Sequence, residues 1–169
     1  MGGENNPFHE LYFMSQTKYL AYYQLVYGLV GVLYSASLVA FNLDEGAQIF
    51  LITLLWLGFD LFVFWAGLRH HQQRKGWWYT SLAAQLLQVG SVEVAGFYLR
   101  LRCGASLNVT LGPTGLTAAF NGLDFESALS WLLPPADRTG LNVVALLLVG
   151  WLLAARFYAP AKPAASSEA

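Results

Sequence analysis

The sequence predicts an all-α integral membrane fold: an antiparallel bundle of four transmembrane helices, with a small β-hairpin and a surface helix in the connector between the third and the fourth. Three observations carry this. Four apolar stretches, 19–41, 47–68, 77–99 and 141–158, each reach the roughly 17–25 residues that a helix needs to cross a bilayer. Of the 169 residues, 56% are hydrophobic and only 11% are charged, far below the roughly 25% charged content of an ordinary soluble domain. Aromatic residues collect where the stretches should emerge, at Tyr19, Tyr22 and Tyr23, at Trp77, Trp78 and Tyr79, and at Phe157 and Tyr158. Amphipathic rings favour the headgroup layer.

Residues 1–18 mix apolar and polar side chains in the manner of a segment resting on the membrane surface. The first 16 residues hold Glu4 and Glu10 but no Lys or Arg. The apolar run after them outlasts a signal-peptide core of about 7–15 residues, so it is expected to stay as an anchor. Asn42-Leu43-Asp44-Glu45-Gly46 is a tight acidic turn, which makes the first two helices antiparallel neighbours. The densest basic cluster, Arg69 to Lys75, follows the second helix, and short basic loops stay on the cytoplasmic side. Both termini are therefore expected to be cytoplasmic, in a bacterial inner membrane. Lys18, Arg69, Arg74, Lys75, Arg156 and Lys162 then lie inside, against Arg100, Arg102 and Arg138 outside. One membrane domain, 19–158, is followed by a tail, 159–169, whose prolines and serines read as disordered.

The outer connector, 103–140, has its own pattern. Leu107, Val109 and Leu111 alternate with polar residues, Gly112-Pro113-Thr114-Gly115 interrupts, and Leu116, Ala118 and Phe120 resume at a spacing of two. That is a hairpin signature. Asp124 is placed to cap a helix over Phe125 to Leu133, with Glu126 in its first turn and Pro134-Pro135 closing it.

Composition also excludes several functions. A net charge of −1 leaves no nucleic-acid footprint. Cys103 is the only cysteine, so neither an intramolecular disulfide nor a thiolate cage can form within one chain, and a buried thiol is expected. His9, His70 and His71 lie outside the four stretches. They cannot hold a haem between helices, and His70 and His71 read as part of a solvated basic loop. The outer acids Asp124, Glu126 and Asp137 lack the spacing of a calcium loop. No catalytic residue, cofactor or metal site is assigned.

The polar residues inside the stretches are the candidate site. A charge at mid-bilayer costs at least about 2.5–3.5 kcal/mol, so Asp60 and Glu93 should turn inward. Counting a rise of about 1.5 Å per residue sets Asp60 level with Gln85 and Tyr27, and Glu93 level with Tyr34. Tyr27 and Tyr34 share a helix face with Gly31 between them, while Ser81, Gln85, Gln88 and Val92 are expected to form a stripe on the third helix. Two readings stay open: hydrogen-bonded glue between helices, or a polar track that relays protons or holds a cation or polar head group.

The first functional expectation is a non-catalytic accessory subunit or interaction module that meets lipid and another membrane protein. The alternative is a small proton-coupled or cation-handling protein using Asp60 and Glu93. Third is an intramembrane enzyme with an acid near its outer face.

Overall fold

A computed structural model describes residues 7–43, 46–94, 97–113, 115–125, 127–130 and 138–157. The expected disordered tail, Glu126, Pro134-Pro135 and Asp137 lie outside them. In chain order the elements are α1 (Pro7–Phe41), α2 (Ala47–His71), α3 (Trp77–Val89), β1 (Gly90–Val94), β2 (Phe97–Leu101), β3 (Gly104–Gly112), β4 (Gly115–Asp124), β5 (Ser127–Ser130), β6 (Arg138–Asn142) and α4 (Val143–Phe157). Residues 7–18 continue directly into the first apolar helix.

The all-α expectation is overturned. Among the described residues, four helices are joined by an antiparallel sheet of six strands in the order β4-β3-β6-β1-β2-β5. Among the described residues, only Thr17–Phe41 and Ala47–His71 are helices long and apolar enough to cross a membrane. α3 has 13 residues and α4 has 15, about 20 and 22 Å of helix against a hydrocarbon core of about 30 Å.

The expected third span fails at Gly90, whose extended backbone (φ −105°, ψ 146°) ends α3. Beyond it the β-branched Val92 and Val94 pair with Leu99 and Phe97 of β2, as such side chains favour. A long apolar run cannot by itself separate a lipid-facing helix from a strand. The fourth span loses its first two residues, Leu141 and Asn142, to β6. Asn142 then starts α4, its Oδ1 accepting from the Ala145 backbone N–H at 3.4 Å.

The connector contains the hairpin β3–β4, with Leu107 opposite Phe120 and Gly112 opposite Gly115. Gly115 supplies a left-handed φ of 107° at the turn. The surface helix expected over 125–133 is replaced at Ser127–Ser130 by β5, which pairs with β2 along Leu99–Leu129 and Arg100–Ala128. A four-residue segment cannot nucleate a helix as readily as it completes an open strand edge. Residues 131–133 of that expectation lie outside the described part.

α1 and α2 pack as an antiparallel pair, backbone against backbone. A Cβ on Gly28 would lie 2.5 Å from the Phe64 backbone N, and one on Gly67 would lie 2.7 Å from that of Leu25. Small residues at such a seam let helices approach closely. α3 is tied to α4 where the Trp78 indole donates to the Leu152 carbonyl at 2.7 Å.

Candidate functional site

The buried faces of α1 and α3 carry polar stripes beside an apolar core of Phe59, Val63, Ala66 and Ala84. Along α1, Gln24, Gly28, Gly31 and Ser35 recur every three or four residues, so they share one face, and all four are buried. The stripe on α3, Ser81, Gln85 and Gln88, is buried as well.

At one end of this seam the Gln24 side chain and Ser81 bond reciprocally. The Ser81 hydroxyl donates to Gln24 Oε1 at 2.9 Å, and Gln24 Nε2 donates to the Ser81 carbonyl at 3.3 Å. The same hydroxyl lies 3.2 Å from His70 Nδ1. His70 is 0% exposed and stacks on Trp77 with ring centroids 4.0 Å apart. The solvated loop expected for it is therefore incorrect, because α2 runs on to His71 and carries His70 into the helix packing.

Further along, the seam converges on Cys103, in the link between β2 and β3. Its backbone N–H donates to Gln88 Oε1 at 2.9 Å, and its thiol donates to the Tyr27 carbonyl at 3.4 Å. Asp60, 3% exposed, lies beside the Cys103 thiol and the Ser35 hydroxyl and against the open face of Gly31. Among the described residues neither Asp60 Oδ1 nor Gln85 Nε2 has a hydrogen-bond partner.

Of the six residues singled out from the sequence, Asp60, Tyr27 and Gln88 meet around Cys103, and Gln85 sits one turn before Gln88 on the same buried stripe. Tyr34 adjoins this group through Phe125, whose ring centroid lies 6.2 Å from that of Tyr34 and 6.3 Å from that of Tyr27. Glu93 is in β1, in register with Tyr98 and Arg138, because α3 has ended before reaching it.

A second polar cluster was not foreseen. Asp124, expected as a helix cap, closes β4 and pairs with Arg102 at 3.1 Å, both side chains 6% exposed. Ser106 also donates to the Asp124 carboxylate, as does Asn108 Nδ2 at 3.4 Å. The legible signal for Gln24 and Ser35 was the three-to-four spacing through Gly28 and Gly31. No local pattern announced Cys103, whose partners are 15 and 76 residues away.

Chemically the seam supplies hydrogen bonds rather than a nucleophile. Burial pushes the Cys103 thiol pKa up, and the neighbouring Asp60 adds to it, so the reactive thiolate is suppressed. Among the described residues, no group of three or more His, Cys, Asp and Glu side chains is arranged to hold a metal ion. Maleimide should therefore label Cys103 about tenfold or more slowly in the folded protein than after unfolding. Equal rates would show that the seam is open to solvent. No protein-family model matches the chain, and no curated protein or solved structure does either.

Proposed function

We propose that this chain is an integral membrane protein acting as a non-catalytic accessory subunit. The α1–α2 hairpin is its anchor, and the open edge of β4 takes an extended segment of another membrane polypeptide.

The anchor is supported by where the apolar side chains point. Leu29, Leu33, Leu55 and Leu61 are exposed while Gln24, Ser35 and Asp60 are buried. Only 22% and 28% of the most apolar 18-residue stretch of each of these two helices is buried inside the fold, whereas a core helix of a water-soluble protein would be mostly covered. Lipid is the solvent in which such an arrangement is favourable. The basic residues support the orientation. Tyr22 meets His71 at 5.2 Å and Arg156 lies 5.8 Å from the Trp78 ring centre, so Lys18, Arg69, Arg74, Lys75 and Arg156 gather at one end of the helices. Short basic regions mark the cytoplasmic side.

The observation that carries the interaction role is β4. It is the last strand on its side of the sheet, and every residue from Gly115 to Leu123 is exposed. None of these nine residues is charged or is proline, the devices by which exposed edges usually discourage pairing. An unprotected edge of this kind recruits an added strand through backbone hydrogen bonds.

The test is purification of the full chain from its native membrane in mild detergent. Introducing Thr117→Lys with Asn121→Lys should cut recovery of the associated polypeptide severalfold and leave the unfolding midpoint of the chain in place. A partner retained at full yield, or an intact chain that purifies alone, would exclude this role.

A further inference from the structure

Directly paired residues of antiparallel strands share a face, and successive residues alternate between faces. The register therefore sorts the sheet into two surfaces. One row crosses all six strands: Leu116 pairs with Leu111, Leu111 with Thr139, Thr139 with Val92, Val92 with Leu99, and Leu99 with Leu129. On the same face a second row runs Ala118, Val109, Leu141 and Gly90, and Phe120 stands opposite Leu107. None of these residues is charged. The other face carries the row Thr117, Thr110, Gly140, Ser91, Arg100 and Ala128, with Asn108 opposite Asn142 and Glu93 opposite Arg138.

Burial runs against what water would select. On β1, β3 and β6 the polar-face side chains Ser91, Ser106, Asn108 and Asn142 are buried, whereas β4 is exposed on both of its faces from Gly115 to Leu123. On the apolar face, Leu116 is 71% exposed, Phe120 69% and Leu111 59%, with Leu99 and Leu141 exposed too. An antiparallel sheet in water covers its apolar face and solvates the other. Polar-in and apolar-out is the arrangement of strands whose outer solvent is lipid.

We infer that the apolar face of this sheet lies against the acyl chains of the bilayer, extending over β4, β3 and β6 the lipid contact made by α1–α2. The inference rests on the anchored reading above. Its second support is continuity. α3 passes into β1 at Gly90, and β6 into α4 at Val143, with no residue between them. The sheet is thus joined without a linker to the helices on either side of it. Lipid contact also explains the edge. Hydrocarbon does not tolerate an unpaired strand edge, so a lipid-facing sheet needs the strand partner proposed for β4.

Spin labels on Leu116→Cys and Phe120→Cys, with Leu33→Cys on α1 and Lys75→Cys in the basic connector as references, test this in the full chain reconstituted into phosphatidylcholine vesicles. Buried Cys103 leaves the introduced thiols as the labelled sites. The expected result is an oxygen-to-nickel-chelate accessibility ratio at 116 and 120 that matches position 33 and is severalfold above position 75. Preferential nickel access at both β4 positions, with position 33 still lipid-exposed, overturns the inference and leaves the anchor intact. So does shielding from both reagents, which would mean that protein covers the face. Nickel access at position 33 removes the anchored reading and the inference with it.

Discussion

Gly67→Ala is expected to destabilise the protein by about 1–3 kcal/mol, the usual range for forcing an extra carbon into a packed seam. The added Cβ would sit 2.7 Å from the Leu25 backbone N and 3.0 Å from the Gln24 backbone carbon. These are main-chain atoms and cannot rotate aside, so the helices must separate. Gly28→Ala, whose Cβ would lie 2.5 Å from Phe64 N and 2.6 Å from its Cα, should behave alike. Gly58 is the internal control, since a Cβ there meets nothing within 4 Å. Gly58→Ala should hold or raise the midpoint, alanine being about 1 kcal/mol better than glycine within a helix. Thermal unfolding in one detergent compares the three, and a common midpoint would disprove the close α1–α2 seam.

Removal of the Arg102 charge has the other large expected effect. Arg102→Met leaves the Asp124 carboxylate buried at the foot of the hairpin without its counter-charge. Breaking one partner of such a pair costs about 3–5 kcal/mol. Ser106 and Asn108 keep their hydrogen bonds to Asp124 but bring no positive charge. Combining Arg102→Met with Asp124→Asn should recover part of the loss, because the uncompensated charge is gone and an amide still accepts hydrogen bonds. Denaturant unfolding with amide exchange on β3 and β4 separates the outcomes. A double variant no better than Arg102→Met alone would show that the guanidinium acts here through packing, not charge.

Both effects arise where sequence-distant segments meet, and the candidate site divides along the same line. Ser81, Gln85 and Gln88 are legible as one stripe because their spacing is a property of α3 alone, and Gln24 with Ser35 falls on the glycine face of α1 for the same reason. The depth count brought Asp60 and Tyr27 to one level, and they do share Cys103. It could not anticipate Cys103 as the meeting point, since that depends on β2 turning back into the helices after α3 has stopped. Glu93 left the expected ladder for this cause too. A helix through 77–99 would have carried it on past Gln88, whereas β1 sets it between Tyr98 and Arg138.

The sequence by itself determined what is local: the two long apolar helices and the turn that makes them antiparallel, the hairpin 107–120 with its glycine-bearing turn, and the polar stripe of α3. Each follows from run length or from a period of 2 or 3.6 residues, which neighbouring residues impose on one another. Only the tertiary structure decided that the apolar run at 77–99 is helix and then strand, that residues 127–130 complete an edge, and that Arg102 neutralises Asp124. A strand has no internal hydrogen bonds to declare it. Val92 becomes β-structure through Leu99 and Thr139, and the latter lies 47 residues further along the chain.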